Sequence, residues 1–383
     1  MSRSPKVFLF LLLLSVIWAC AGKEEVSQSG NLDEFRTYPI DINATAKRFS
    51  RQMEAVEVTY LEETEDSFLD YPYRMSFYKD NLVFPSGRKG DVYVYSDQGK
   101  YLSRFNHQGD GPGEYSDYNG IWMSADTVII FNHGKQSLLY YDMEGQHLKT
   151  RKLAQMAAHI TSLQGQLLYD MTMELVDDSL QYRLLIEDGA GQRQGLYLPY
   201  KNRLPFSVYS NVSTFKPYGE NLTFQPAYQD TVYQVKPDGV TPLFAFDFEG
   251  GYYWTDEIFE KGPAALNLIV DSGKVWLYQA FVGPDQIFLT YSTSFQDSFV
   301  GLIDRATGEF TQLQKRLKGE EEYRLAIIRK AGDRFLFSMP PDQVKTFLEE
   351  LDPGQVQFSE GSSLEKIEAS ENPTLLWVKF KKN

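Results

Sequence analysis

The chain has 383 residues, 42% hydrophobic and 15% aromatic, with 28 glycines and 17 prolines, so it can bury a sizeable core and is not disordered in bulk. Its formal net charge is −14, from 52 acids against 38 Lys and Arg; an acidic body of this size repels phosphate backbones, and no nucleic-acid partner is expected. Aromatic residues suit half-buried strands and Gly and Pro mark turns, so the composition predicts an all-β fold.

At the N-terminus, Arg3 and Lys6 precede the apolar run VFLFLLLLSVIW (7–18). Such a run is long enough for a signal-peptide hydrophobic region and short of the roughly 20 residues that cross a bilayer. Ala19 and Cys20 follow, and Cys20 is the only cysteine, so no intramolecular disulfide can form. VIWAC resembles a bacterial lipobox, with Trp18 bulky for its middle position. The resemblance implies a signal peptide over residues 1–19 and a lipidated Cys20, with each buried CH₂ adding about 0.8 kcal/mol to membrane attachment. Residues 20–31 read as a flexible tether. Within it Lys23, Glu24 and Glu25 resemble the short lysine-plus-acids export signal of Bacteroidetes surface lipoproteins. The expected address is the outer membrane, at the cell surface rather than on its periplasmic face.

Beyond the tether, short apolar stretches alternate with turn signals, and one pattern repeats. Residues 81–105 (NLVFPSGRKGDVYVYSDQGKYLSRF) and 127–153 (TVIIFNHGKQSLLYYDMEGQHLKTRKL) align at an offset of 46, with Tyr95 on Tyr141, Gly99 on Gly145 and Leu102 on Leu148. Each reads as strand, turn, strand, glycine turn and return strand, the glycines supplying the positive φ of a tight hairpin. Weaker echoes lie at 230–246 and 299–313. A period of about 40–50 residues with several strands per unit is the mark of a β-propeller blade, and the length admits six or seven. A pair of β-sandwiches is the alternative. Two strands meeting near Asp177 and Asp178, a strand at QGLYLPY and a short helix over 340–351 fill the less regular parts. The last strand, within ENPTLLWVKFKKN, is expected to pair with an early one such as VEVTYL (56–61), closing the ring and removing an open sheet edge. Residues 32–383 thus form a single domain.

The lipobox, the block DVYVYSDQGKYLSRFNHQGDGPGEY, the strand YQDTVYQV and the terminal ENPTLLWVKF together resemble the six-bladed β-propeller lipoproteins of Bacteroidetes, a largely uncharacterised family. The resemblance implies six blades of about four antiparallel strands, and it implies no reaction.

The stretch HQGDGPGEYSDYNG (107–120) invites comparison with a nucleotide loop. Gly109, Gly111 and Gly113 alternate, but Glu114 stands where the dinucleotide fingerprint needs its third glycine, and Pro112 removes a backbone N–H that would hold a phosphate. The motif is read instead as the structural connection from one blade to the next, with Tyr115 packed on the neighbouring blade. Asp110, Glu114 and Asp117 lack EF-hand spacing, and neither a His-x-x-x-His pair nor thiol ligands exist, so no metal and no cofactor is predicted. No G-x-S-x-G elbow marks a nucleophile. Asp126-Thr127-Val128, Asp178-Ser179-Leu180 and Asp230-Thr231-Val232 resemble an O-glycosylation sequon, and the threonines also serve as strand starts. Tyr252, Tyr253 and Trp254, after two glycines and before two acids, are the candidate ligand contacts, with packing between blades as the alternative. The expected function is a binding or interaction module for a glycan, a peptide or an envelope partner, at the loop-bearing face near the central channel. The other reading is a hydrolase or lyase acting on envelope or dietary polysaccharide through carboxylates converging in that channel.

Overall fold

The computed structural model describes residues 34–382, apart from 71, 73, 88–89, 178, 202–212 and 316–321. Leu32–Asn383 forms one compact unit. Residues 1–31, with the expected signal peptide, Cys20, Lys23, Glu24 and Glu25, lie outside the described residues.

The chain folds into six small antiparallel sheets arranged as the blades of a propeller. From the innermost strand outward, blade 1 holds Ser76–Tyr78, Asn81–Ser86, Asp91–Ser96 and Tyr101–Asn106. Blade 2 holds Gly120–Ser124, Thr127–Asn132, Ser137–Tyr141 and His147–Lys152. Blade 3 runs through His159–Leu163, Gln166–Asp170, Tyr182–Glu187 and Arg193–Pro199. Blade 4 runs through Phe215–Tyr218, Asn221–Phe224, Thr231–Lys236 and Gly239–Asp247. Leu277–Val282, Gln286–Ser292, Ser298–Asp304 and Phe310–Gln314 make blade 5. Blade 6 takes Ala326–Ala331, Arg334–Met339, the C-terminal Thr374–Phe380, the N-terminal Met53–Thr59 and, at its rim, Val356–Phe358.

The ring closes as the sequence predicts: Thr374–Phe380 pairs antiparallel with Met53–Thr59, with Leu376 opposite Val58 and Val378 opposite Val56. The segment before it also covers sheet edges. Arg36–Pro39 adds in parallel to the outer strand of blade 4, and Lys47–Arg48 to that of blade 5. Exposed edges template unwanted pairing, and these additions blunt two of them.

Alternation along each strand sends side chains to both faces of a blade, where they meet the next blade. Six apolar clusters fill the spaces between successive blades, from Val83, Val94, Ile121 and Ile130 between blades 1 and 2 to Leu82, Tyr95, Leu336 and Leu375 between blades 6 and 1. The repeated hairpins have their expected form. Gly99 has φ +83° and Gly145 +86°, and a Cβ would lie 1.9 Å from the Tyr60 carbonyl oxygen at the first and 2.3 Å from Phe105 Cβ at the second.

The HQGDGPGEY loop joins blade 1 to blade 2. Tyr115 is fully buried between them, and its hydroxyl donates to the Gly90 carbonyl at 2.5 Å. Glu114 turns back to accept the Gly111 N–H at 2.7 Å, and Gly113, at φ +74°, presents its carbonyl to the Tyr141 hydroxyl at 2.7 Å. A Cβ on Gly109 would meet the Glu114 carboxylate at 2.1 Å, while Pro112 sits exposed at the tip. Lys135 of blade 2 donates to the carbonyls of Gly109 and Glu114, at 2.9 and 3.1 Å, and stitches the loop down. Asp117 accepts the N–H groups of His133 and Gly134, both at 2.8 Å. Glu114, Tyr115 and Asp117 thus bond within the scaffold, while Asp110 points to solvent.

The two faces of the propeller differ. Connections within a blade on one face are tight turns such as 79–80, 164–165 and 332–333. The other face carries the links between blades and the longer insertions. These include a small helical lobe with Asp256–Glu260 and Ala265–Leu268, and the 340–373 segment with the helices Pro341–Leu348 and Leu364–Glu368. The helix expected over 340–351 is the first of this last pair.

Candidate functional site

The innermost strands of all six blades surround a central cavity of about 330 Å³. That volume is within the range of small-molecule sites. Its wall is largely apolar, with Ile121 from blade 2, Phe281 and Val282 from blade 5, and Ile327 and Ile328 from blade 6. Pro72, Arg74, Asn119, His159 and Ser213 lie at the starts of inner strands or in the links before them, so the cavity extends toward the loop-bearing face. A smaller space of about 50 Å³ shares His159, Ser213 and Lys216 with it and continues toward Asp170, Thr172 and Gln225.

The wall carries four Lys and Arg side chains, Arg74, Lys216, Arg329 and Lys330, and no Asp or Glu among the described residues. Lys216 sits in the inner strand of blade 4 beside Phe215, which is buried in the core between blades 3 and 4; alternation turns Lys216 the other way, into the channel. Its ammonium lies 4.8 Å from the centre of the Phe281 ring. Among the described residues no carboxylate or hydrogen-bonding oxygen engages it, and burial alone pulls its pKa from the usual 10.5 down to about 7. Arg329 follows a bulge in the inner strand of blade 6, where two residues oppose one and the side-chain direction is reset. Its guanidinium stacks 4.2 Å from the Phe77 ring, and only its Nε is bonded among the described residues, to the Lys330 carbonyl at 3.3 Å. Burial lowers its pKa from 12.5 to about 10. Lys330 turns away to donate to the Gly332 carbonyl, and Arg74 reaches the Tyr118 carbonyl at 3.3 Å and Asn119 Oδ1 at 3.4 Å.

Among the described residues, Asp170 is the one carboxylate lining either space. It is fully engaged: the Thr172 N–H donates at 3.0 Å, the Thr172 hydroxyl donates to the same oxygen, and the Thr214 hydroxyl donates at 2.9 Å. His159 Nδ1 lies 3.6 Å from this carboxylate and 3.4 Å from the Thr214 hydroxyl. In a hydrolytic triad the carboxylate and the nucleophile occupy opposite nitrogens of the imidazole. Here the Thr214 hydroxyl and the Asp170 carboxylate both approach Nδ1, so these two groups do not make that arrangement with His159. The carboxylate convergence expected of a polysaccharide-cleaving enzyme is not formed along the described channel wall.

Tyr252, Tyr253 and Trp254 lie elsewhere, in the helical lobe after blade 4. Tyr253 and Trp254 are buried in a cluster with Tyr228, Ala265 and Ile269. The Tyr253 hydroxyl donates to the Ala265 carbonyl and the Trp254 indole N–H to the Trp276 carbonyl at 2.6 Å, while Tyr252 stacks on Phe248 with ring centres 5.6 Å apart. All three rings have packing partners within the lobe. Glu114 and Asp117 bond backbone N–H groups of the scaffold while Asp110 is exposed, and no cluster of three metal-ligating side chains occurs among the described residues. The residues that sequence reasoning missed are Lys216 and Arg329. Their signal is a charge inside an apolar strand, in FKPY and IIRKA, which becomes meaningful only once those strands are known to be innermost.

No curated protein sequence matches the chain. Among solved structures it is similar to a Bacteroides fragilis protein described as exported, at 16% identity and a TM-score of 0.70, covering 91% of this chain and 99% of that one. It is also similar to a member of the DUF4221 family from Bacteroides vulgatus, at 11% identity and a TM-score of 0.49, covering 86% and 97%. The first likeness agrees with the six-bladed fold read from the strand pairing. A family model described as a domain of unknown function, DUF4934, matches residues 37–379, nearly the whole propeller with its closing strands, and the chain belongs to that family.

Proposed function

We propose that this protein is a lipid-anchored binding module of the cell envelope, taking its ligand in the central channel at the loop-bearing face. The observation that carries the reading is the channel itself, an apolar-walled cavity of about 330 Å³ with a few converging polar groups and a single, fully engaged carboxylate in its described continuation. The same observation favours binding over hydrolysis. A glycan fragment, a peptide end or a group from an envelope partner are the classes considered, and the cavity's size limits what enters to a small molecule or one projecting residue. Anchorage rests on VIWAC, with Cys20 as the lipid attachment point after removal of residues 1–19. Surface display rests on Lys23, Glu24 and Glu25, and the exported description of the Bacteroides fragilis neighbour agrees with an envelope address.

The binding reading is tested by blocking the channel. Thr161, on the inner strand of blade 3, lines the cavity and is partly exposed to it. Thr161→Trp should abolish retention of small molecules and glycan fragments that the wild-type protein captures from intact cells, with the circular dichroism spectrum unchanged. Equal retention by a folded Thr161→Trp protein would place the ligand outside the channel. For the anchor, Cys20→Ala should release the protein from the membrane fraction, and continued retention there would refute lipidation.

A further inference from the structure

The walls of the channel specify more than a cavity. Resting on the reading of the channel as the ligand site, we propose that its ligand is a small organic oxyanion, a carboxylate or phosphate on an apolar body, held between Lys216 and Arg329.

Three observations carry this. First, an isolated charge in a low-dielectric site is unfavourable unless it is paired and hydrogen-bonded. The Lys216 ammonium has an aromatic face at 4.8 Å and no anionic partner among the described residues. The Arg329 guanidinium carbon lies 4.2 Å from the centre of the Phe77 ring, with its terminal nitrogens unbonded among the described residues. The ring contact holds the guanidinium in place, and its unbonded terminal N–H groups are available to a carboxylate or phosphate. Second, the two cations come from blades 4 and 6 and line one space, so both are presented to a ligand that fills it. Burial without a resident counter-ion also weakens the charge of Lys216, whose pKa of about 7 a bound anion would restore upward. Third, Ile121, Phe281, Val282 and Ile327 share that space and offer an apolar surface to the rest of the molecule. A bare inorganic ion would leave that surface unused, and a polyanion cannot enter a cavity of about 330 Å³.

The contrast with the exterior supports the assignment. The whole chain carries −14 and repels large anions at long range, whereas the channel wall concentrates cations with Asp170 its sole described carboxylate, already bonded to Thr172 and Thr214. Coulomb attraction between groups a few ångströms apart in a site of reduced dielectric outweighs screened repulsion across the surface.

The test uses benzoate and phenyl phosphate as probes, with benzamide as the neutral shape match of benzoate. Titration calorimetry is run at pH 6 on the full-length protein extracted in mild detergent, in a buffer with chloride as its only small anion. Both anions should bind at a single site and benzamide should not. Lys216→Met and Arg329→Gln should each weaken benzoate about 10- to 100-fold, the range for loss of one charge-assisted hydrogen bond, while Lys216→Arg should retain binding. A preference for phenyl phosphate over benzoate would assign a phosphate head, and the reverse a carboxylate. Equal binding of benzamide and benzoate, or an unchanged benzoate affinity in folded Lys216→Met, overturns the oxyanion assignment and leaves the channel as the ligand site. Absence of binding by either anion also overturns it, and the Thr161→Trp comparison then decides separately whether the channel binds anything.

Discussion

Replacing Lys216 with Met should stabilise the free protein, and the gain should depend on pH. Lowering an ammonium pKa from 10.5 to about 7 corresponds to about 5 kcal/mol of desolvation at about 1.4 kcal/mol per pH unit. Lys216 retains some contact with channel water, which reduces the expected gain to about 2–4 kcal/mol. Met keeps the length and apolar stem of the side chain and removes the charge. Below pH 7 the lysine is protonated in both folded and unfolded chains, so the wild type bears the full cost. Between pH 7 and 10.5 the unfolded chain holds a proton that the folded one has shed, so wild-type stability rises with pH. The advantage of Met is therefore greatest at pH 6, falls by about half or more by pH 9 and vanishes near pH 10.5. Other titratable or charged groups lining the same spaces are Arg74, His159, Asp170, Arg329 and Lys330, all unchanged by the substitution. With an unfolding entropy near 0.7 kcal/mol/K for about 350 residues, the gain at pH 6 is a rise in Tm of about 3–6 °C. Urea and thermal unfolding at pH 6 and 9, in a buffer whose only small anion is chloride, measure it. A lower stability of the variant at pH 6, or a difference independent of pH, would refute the reasoning, because either result means that Lys216 has a counter-ion or is fully hydrated.

Two further predictions concern the scaffold. Deleting residues 374–383 removes a strand that lies between Arg334–Met339 and Met53–Thr59 and buries Leu375, Leu376, Val378 and Phe380; cooperative urea unfolding should be lost, and a wild-type transition would contradict the closure. Gly145→Ala combines a φ of +86° with a Cβ 2.3 Å from Phe105 Cβ and should cost about 2–4 kcal/mol, whereas Gly219→Ala, at φ +59° with open space around the added Cβ, should cost about 1 kcal/mol, both read from denaturant midpoints.

The scaffold was legible in the sequence because its signals are local. Gly99 and Gly145 recur at one register since each hairpin needs positive φ at the same step, and the Tyr95 and Tyr141 match follows from equivalent burial between blades. The terminal strand could be read because a run as apolar as TLLWVKF needs cover on both faces. Blade 3 was obscure because its middle strands are joined by the longer 171–181 segment, which breaks the period. The site was not legible in the same way. GGYYWTDE reads as loop aromatics beside acids, and the residues packed on Tyr253 and Trp254, namely Tyr228, Ala265 and Ile269, are distant in sequence or lie in or next to a short helix. Lys216 and Arg329 carry no distinguishing signal in the sequence alone, because a lone charge in a strand ordinarily marks a solvent-facing position. Their meaning depends on rank within the blade, outer for a solvated charge and inner for a channel charge, and rank is a property of the whole ring.

That dependence bears on how a propeller can acquire a site without disturbing its fold. The six interblade clusters are formed by the alternating side chains of the strands, while the channel is lined by only a few residues of each innermost strand. Where a lining side chain belongs to none of those clusters, a substitution changes charge without removing core packing, so its cost is mainly desolvation. Lys216 shows the consequence. Its neighbour Phe215 belongs to the core between blades 3 and 4, and its strand partner Thr223 continues the sheet, so the strand forms whatever stands at position 216. A cation there weakens the free protein and gains compensation only when an anion arrives. Stability and binding should therefore move in opposite directions at this position, and in the same direction at Gly145, where the backbone itself is at stake.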